Sequence, residues 1–347
     1  MAFLQETIRE PGYEQVIYAE HRDTGLRCLI AVHNTVRGPS CGGIRVLPYE
    51  SREDALRDVL RLARGMSYKS ALAGLGFGGG KSVILLDPAR KSPEIFQAFG
   101  ELVDSLGGRY IAAKDMNVTS TDLLEVRKRT RHVLGIDGVP GSSGDPSPVT
   151  ARGVFRALEA TAMELTGKRE LKGLHIALQG LGHVGYSLAQ RLKEAGVRLT
   201  VTDIDPAPVE RARRELGAET VGLENIYEMS CDIFSPGARG AVLNPDTIPR
   251  LRCRAVAGCA NNQLLTPEDG HRLHALGILY APDYAVNSGG IINIFIEYQG
   301  YSEAKAMEKA DGIYDTIREI FARAKAEGAP PFVVADRLAE EKLRGER

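Results

Sequence analysis

The sequence predicts an α/β protein of two domains around a cleft, the second a doubly wound parallel sheet. Three observations predict it. At 347 residues the chain exceeds one typical domain. From residue 174 onward strand-like and helix-like segments alternate, the pattern of a parallel sheet covered on both faces. A stretch rich in glycine, 135–144, separates that alternation from an N-terminal part that begins with sheet. Hydrophobic residues at 43% and charged residues at 26% fit a folded globular chain and exclude a disordered one.

In chain order, 14–18 and 26–33 read as strands around the turn-like Asp23-Thr24-Gly25. Leu56, Val59, Leu60, Ala63 and Met66 recur at helical spacing over 53–66. A second helix opens with Ser92 as cap and Pro93 in its first turn, burying Phe96, Phe99, Val103 and Leu106. A short strand over 109–113 then ends on a loop carrying Lys114-Asp115. The glycine-rich stretch is placed as the hinge, and Ser147-Pro148 caps a helix running to about Gly167. Strands follow at 174–179, 198–203, 254–259 and 278–282, with helices at 183–195, 207–216 and 267–275. A long amphipathic helix over 302–327 stops at Pro330-Pro331, and a last helix over 332–344 is expected to return to the first domain. The expected limits are therefore 1–140, 141–328 and 329–347.

Acid and base balance to a net charge of −1, so no strong field would draw in nucleic acid or an anionic membrane. No basic and apolar leader pattern and no 18-residue apolar span is found, which makes a cytoplasmic protein the expectation. Five cysteines never spaced Cys-x-x-Cys, and seven histidines without a pair at helical spacing, suggest neither disulfides nor a metal site.

The strand 174–179 runs into Gly180-Leu181-Gly182-His183-Val184-Gly185 at the start of a helix. The first glycine permits the tight turn, the second lets backbone approach a pyrophosphate, and the third lets helix and strand pack closely. The next strand ends in Asp203, 23 residues after Gly180, where a carboxylate can accept from ribose hydroxyls. Asp203 and Asp205, with no arginine beside them, would repel a 2′-phosphate, so the cofactor expected of this Rossmann-type domain is NAD. The bland alternative is a glycine turn that only closes a strand–helix junction.

Lys69 and Lys81 stand twelve apart around a glycine cluster. Gly80-Lys81-Ser82 imitates the end of a phosphate-binding loop, but position 75 is leucine where that motif needs glycine, and the loop precedes its strand. Nucleotide triphosphate hydrolysis is thereby disfavoured. Oxidation of an amino acid requires a cation for the carboxylate, a base to activate water against the imine, and a carboxylate to move protons at nitrogen. A lysine partly buried beside another cation can act as a base near pH ~7–8. Lys69, Lys81 and Asp115 supply these three functions. Surface lysines on a flexible loop are the alternative, which the apolar run Ala71-Leu-Ala-Gly-Leu-Gly-Phe-Gly argues against.

The order of several segments carries a resemblance: Gly38-Pro-Ser-Cys-Gly42-Gly43-Ile-Arg45, the paired-lysine segment, Gly108-Arg-Tyr-Ile-Ala-Ala-Lys-Asp115, Gly141-Ser-Ser-Gly-Asp-Pro-Ser-Pro-Val-Thr150, the glycine motif, Ala257-Gly-Cys-Ala-Asn261-Asn262-Gln and Tyr280-Ala-Pro-Asp-Tyr-Ala-Val-Asn287-Ser-Gly-Gly. Over nearly its whole length the chain resembles the glutamate, leucine, phenylalanine and valine dehydrogenase superfamily, most closely its leucine dehydrogenases. The resemblance implies that Lys69 holds the substrate carboxylate with backbone N–H groups near Gly42 and Gly43, that Lys81 is the base, and that Asp115 shuttles protons. It further implies cofactor contacts from Thr150, Asp203 and Asn261, a substrate contact from Asn262 or Asn261, and a homo-oligomer built through the first domain. Met116-Asn117-Val118 and Arg239 depart from the family's usual residues.

Glutamate-specific members carry a lysine just before the paired glycines, and here that position is Cys41. A side-chain carboxylate left there without a cation would cost several kcal/mol, so glutamate is expected to be rejected. Ala113, Ile291 and Ile294 are the other implied pocket positions, all apolar, with core packing as their plain alternative. A branched aliphatic substrate such as leucine, valine or isoleucine fits best. One methylene discriminates by only ~1–3 kcal/mol, so an aromatic amino acid is the runner-up. Outside the enzyme class, a non-catalytic NAD-binding sensor would need only the glycine motif and Asp203, and an assembly protein would need neither set.

Overall fold

The computed structural model describes residues 3–345. The chain forms two compact units. One gathers the residues up to Asp145, Ile294–Glu303 and those from Ala339 onward; the other gathers Pro146–Asn293 and Ala304–Leu338.

The first unit is built on β1 (Phe3–Ile8), β2 (Gln15–His21), β3 (Leu26–Asn34), β4 (Ser40–Leu47), β5 (Gly78–Leu85) and β6 (Tyr110–Lys114), in the order β1-β2-β3-β5-β4-β6. The pairs β1–β2, β2–β3 and β3–β5 are antiparallel, whereas β4 lies parallel between β5 and β6. Helix α1 (Arg52–Leu72) begins where Ser51 Oγ accepts the Asp54 N–H at 3.0 Å, and it runs six residues past the 53–66 expected from apolar spacing. Its stripe Ala55, Val59 and Ala63 packs on Leu29, Val83 and Leu85. Helices α2 (Pro93–Ser105) and α3 (Ser120–Arg127) cover the opposite face, where Phe96, Phe99, Leu123 and Val126 meet Ile44, Val46 and Ile84. Ser92 is the N-cap of α2 by backbone geometry, without a side-chain cap bond.

Because successive strand residues point to opposite faces, Lys81, Val83 and Leu85 of β5 all point toward α1. The glycine cluster before Lys81 belongs to the buried strand itself and is not a loop. No side chain fits there: a Cβ on Gly78 would stand 1.9 Å from the Asn34 carbonyl oxygen, and one on Gly79 2.0 Å from the Ser67 nitrogen. The glycines let α1 and β3 close directly on the strand that carries Lys81.

The second unit contains α4 (Ser147–Thr166), β7 (His175–Gln179), α5 (His183–Glu194), β8 (Arg198–Thr202), α6 (Pro206–Leu216), β9 (Glu219–Thr220), β10 (Ser230–Pro236), β11 (Arg252–Val256), α7 (Pro267–Ala275), β12 (Leu279–Tyr280) and α8 (Asp283–Val286). Ser147 is the first residue of α4 and not its cap. The sheet order is β12-β11-β10-β7-β8-β9 and every pair is parallel, the doubly wound arrangement. Strand order reverses between β7 and β10, the place where open parallel sheets take their ligands beyond the strand C-termini. The helix α9 (Gly289–Tyr298) and the last helix, α12 (Pro331–Arg344), each contribute residues to both units. The single helix expected over 302–327 is two, α10 (Glu303–Asp311) and α11 (Ile313–Glu327), broken at Gly312. No helix among the described residues is long and apolar enough to cross a membrane.

Candidate active site

Three parallel neighbours, β5, β4 and β6, assemble the polar part of the first unit. Lys81 sits in the middle of β5 with only 6% of its surface exposed. Asp115 follows directly on β6, and its Oδ2 lies 2.7 Å from the Lys81 Nζ. Arg45, on β4, brings its Nε to 3.1 Å from the same oxygen. Burial alone would push the Asp115 carboxyl up, but the ammonium of Lys81 and the guanidinium of Arg45 together hold it below the usual carboxylate range.

Ladder register explains why these groups meet. Gly43 pairs with Ala113, and the offset between Cys41↔Gly79 and Ile44↔Ser82 puts Lys81 beside Gly43, so Lys81, Gly43 and Ala113 form one row across three strands. Cys41 lies one row away on the same face, since it is two residues from Gly43. The β4–β5 pairs skip Gly42 and Gly43, interrupting the ladder at the residues whose N–H groups were expected to meet an anion. Neither glycine admits a side chain: a Cβ on Gly42 would be 1.8 Å from the Gly80 oxygen, and one on Gly43 2.6 Å from the Asp115 Cβ. Under this row Tyr110 is fully buried and donates to the Gly42 carbonyl at 2.7 Å, with Ser82 Oγ at 3.0 Å from its hydroxyl.

Lys69 is half-buried in the last turn of α1, two residues beyond Ser67, whose backbone rests on Gly79. Ser67 is anchored in turn by the His33 Nδ1 at 2.8 Å. Burial, and then the nearby Arg64 charge, bring His33 down to about 4, which leaves the ring neutral at physiological pH. Cys41 is fully buried and its thiol is pushed up to about 12 by that burial, so the position before the paired glycines is uncharged and small. Ile291 is buried on α9 in the second unit, whereas Ile294, a few residues on, belongs to the first.

In the second unit the three glycines of the motif differ in kind. Gly180 has φ +96°, and a Cβ there would come 2.8 Å from the Ala238 nitrogen on the neighbouring loop after β10. A Cβ on Gly185 would stand 2.1 Å from the Gly180 oxygen, so its absence lets α5 pack on the turn. A Cβ on Gly182 would meet nothing within 4 Å. The protein's own packing therefore does not require glycine at Gly182. Space remains beside the N-terminus of a twelve-residue helix that has no side-chain cap, as close backbone approach to a pyrophosphate demands.

Asp203 accepts the Leu181 N–H at 2.5 Å and the Asp205 N–H at 2.9 Å, which fixes its carboxylate beside that turn. His183 and Val184 open α5. Thr150 is buried in α4, donates to the Pro146 carbonyl at 2.9 Å, and has Gly289 so close that a Cβ there would lie 2.4 Å from its Cα. Asn261 and Asn262 are exposed, the latter in the left-handed region at φ 52°. The donor set suits a dinucleotide: main-chain N–H groups at a helix start, open space, and a fixed carboxylate.

Two groups received no role from the sequence, although Asn287 and Arg45 stand in segments that carry the resemblance. Asn287 is buried and donates to Cys259 O at 3.1 Å and Asn261 Oδ1 at 2.8 Å, while its own Oδ1 has no protein partner. Arg45 and, behind it, Asp58 on α1 and Tyr49 just before that helix extend the Lys81–Asp115 pair. Only their tertiary contacts reveal this arrangement, because Arg45 stands in a segment that carries the resemblance without any role attached, and one aspartate among several on a helix carries no sequence signal.

The sequence model of the Glu/Leu/Phe/Val dehydrogenase dimerisation domain matches residues 14–132, and that of Glutamate/Leucine/Phenylalanine/Valine dehydrogenase matches residues 201–329. The chain is 47% identical over 332 residues to leucine dehydrogenase of Thermoactinomyces intermedius, covering 95% of this chain and 91% of that one. The crystal structure of L-tryptophan dehydrogenase from Nostoc punctiforme superposes with TM-score 0.88 at 41% identity, covering 96% of each chain. The hetero-hexameric glutamate dehydrogenase of Thermus thermophilus shares the fold at TM-score 0.76 and 22% identity, over 99% of this chain and 88% of that one. With both family models matched and such identity over nearly its full length, the chain belongs to the Glu/Leu/Phe/Val dehydrogenase family and is an NAD-dependent amino-acid dehydrogenase.

Proposed function

We propose that the chain oxidatively deaminates branched-chain L-amino acids, leucine foremost with valine and isoleucine, to the 2-oxo acid and ammonia, reversibly. The observation that carries this reading is the Lys81–Asp115 pair at 2.7 Å, on the face that also holds the uncharged Cys41. In it, Lys69 binds the substrate carboxylate with the N–H groups at Gly42 and Gly43. Lys81 takes a proton from the water that adds to the imine, and Asp115 moves protons on and off the nitrogen as ammonia departs. Residues Gly180 to Gly185, Asp203, Thr150 and Asn261 would hold NAD, which when bound supplies the acceptor for the hydride of the α-carbon. Asn262, or Asn261, contacts the substrate.

Cys41, Ala113 and Ile294 in the first unit supply apolar walls without a cation, and Ile291 in the second unit is apolar as well. A glutamate side chain would bury an unpaired carboxylate there, at a cost of several kcal/mol. The small side chains of Cys41 and Ala113 favour a second reading in which an aromatic amino acid is accepted. NADH absorbance measured with leucine, valine, isoleucine, methionine, phenylalanine, tryptophan and glutamate, each with NAD and NADP, decides between them. Preference for glutamate would overturn both readings. We further infer a cytoplasmic homo-oligomer joined through the first domain, with domain limits near 1–140, 141–328 and 329–347; sedimentation checks the assembly.

A further inference from the structure

Lys81 Nζ and Arg45 Nε both approach Asp115 Oδ2, at 2.7 and 3.1 Å, while Oδ1 receives no donor among the described residues. Arg45 is not a loose surface cation. Its Nη1 lies 3.0 Å from Asp58 Oδ2, the same oxygen receives the Tyr49 hydroxyl at 2.7 Å, and the Arg45 and Asp58 side chains are 14% and 17% exposed. Asp115 stands just past the last residue of β6, where only its contacts limit rotation of the carboxylate. A guanidinium braced from behind by helix α1 supplies that limit.

We propose that Arg45, braced by Asp58 and Tyr49, is a positioning residue for the reaction, holding Oδ2 of Asp115 on the two cations so that Oδ1 faces the substrate nitrogen. The proposal rests on the reading of Lys81 and Asp115 as the proton-handling pair. Lys81 from β5 and Arg45 from β4 face Asp115, with Asp58 and Tyr49 behind Arg45; Cys41 lies farther along the same face of β4, and Tyr110 of β6 lies on the opposite face beneath Gly42. Burial keeps the Cys41 thiol and the Tyr110 and Tyr49 phenols neutral through physiological pH, so charge around Asp115 comes from Lys81, Arg45 and Asp58. Removing the Arg45 cation makes Asp115 retain its proton to higher pH, and removing the Asp58 anion does the reverse.

The test is the pH dependence of kcat and KM for leucine oxidation in the full-length Arg45→Met, Arg45→Lys and Asp58→Asn enzymes, with Asp115→Asn alongside. For Arg45→Met, kcat should fall by about 10- to 100-fold with KM changed by under about threefold, and the acidic limb of kcat should move up by about one pH unit. Asp58→Asn should move that limb down, and Arg45→Lys should restore its position with part of kcat. Wild-type kcat in Arg45→Met, or limbs that stay in place or shift together in Arg45→Met and Asp58→Asn, would overturn the proposal. If Arg45→Met does not fold, the downward shift in Asp58→Asn decides, and its absence is the negative result. Loss of turnover in Asp115→Asn combined with an unmoved limb in Asp58→Asn removes the brace alone, whereas full turnover in Asp115→Asn removes the proton-handling pair itself.

Discussion

Alanine at Gly43 is the smallest change that tests whether the position of Asp115, and not merely its presence, sustains turnover. The new methyl would lie 2.6 Å from the Asp115 Cβ and 2.8 Å from the Lys114 carbonyl oxygen. Carbon atoms in contact prefer about 3.5–4.0 Å, so one side must retreat by roughly 1 Å. Neither neighbour is the flexible end of a side chain. The Met116 carbonyl is tied to the Val46 N–H at 3.1 Å and the Asp115 carbonyl to the Val118 N–H at 3.1 Å, so retreat strains the end of β6. Overpacking of this kind costs about 1–3 kcal/mol of stability. The 2.7 Å contact between Lys81 and Asp115 would open toward ~4 Å, and a misplacement of ~1 Å in a reacting constellation lowers turnover by about 10²-fold. Steady-state NADH formation with leucine gives kcat, calorimetry gives the stability, and an NADH titration reports whether the second unit is intact. A variant with wild-type kcat and wild-type melting would refute the reasoning, because the packing at Gly43 would then place nothing that the reaction uses.

Other substitutions separate the remaining parts. Lys81→Ala should abolish turnover while NADH binding, followed by fluorescence, stays nearly intact; activity retained at neutral pH would remove Lys81 from its role. Gly182→Ala should leave the melting temperature unchanged and weaken NADH binding by about tenfold or more, whereas Gly185→Ala, with its Cβ 2.1 Å from a backbone oxygen, should lower the melting temperature by several degrees. Equal effects of the two on melting would contradict the distinction. Hydrogen bonds from Arg152, against the opposing effect of burial and with help from Arg156, bring the Asp311 carboxyl from its ordinary 3.8 down to about 2. A carboxyl lowered in the folded state stabilises above its unfolded value and loses that contribution as pH falls through the folded one. The unscreened limit is about 2.5 kcal/mol, and because the side chain is a third exposed about 1 kcal/mol is expected. Denaturant unfolding of Asp311→Asn against wild type should show that difference at neutral pH and little of it near pH 2.

The second unit was largely readable in the sequence because its turns announce themselves. The alternation of β7, α5, β8 and α6 appeared within one or two residues of the observed limits, since glycines or aspartates stand at each junction. Strand β10 was not read, although it lies in the middle of the sheet. It reaches β11 without an intervening α-helix, so the rhythm of alternation gives no cue. In the first unit glycine misled in the opposite direction. Gly78, Gly79 and Gly80 were expected in a loop because glycine is unfavourable in strands. They are strand residues because Asn34, Ser67, Ser40 and Tyr110 occupy the space that side chains would need. That exclusion depends on residues far away in sequence, which no local window contains. Gly42 and Gly43 concealed β4 for the same reason, and the end of α1 was missed because its apolar stripe gives way to Ser67, Tyr68 and Lys69 just as the helix reaches the site.

The charge pattern on the α1 face bears on why such a cluster persists. Lys81, Arg45, Asp115 and Asp58 balance as two cations and two anions, each less than a third exposed. Taking ions out of water costs several kcal/mol each, and well-packed apolar groups of similar volume are often equally or more stabilising. The same sheet face shows that apolar packing is available, because Val83 and Leu85 continue the Lys81 row directly into the contact with Ala55, Val59 and Ala63. Stability alone therefore gives no reason for β5 to carry lysine at position 81 or β4 to carry arginine at position 45. A neutral set of fixed charges does have a use where a substrate's charges change during a reaction, since it can stabilise the changing charge without reorganising. On this argument Lys81→Met combined with Asp115→Leu, Arg45→Met and Asp58→Leu should match or exceed the wild-type melting temperature while turnover disappears. A large loss of stability in that quadruple variant would show that the cluster is there to hold the sheet and helix together.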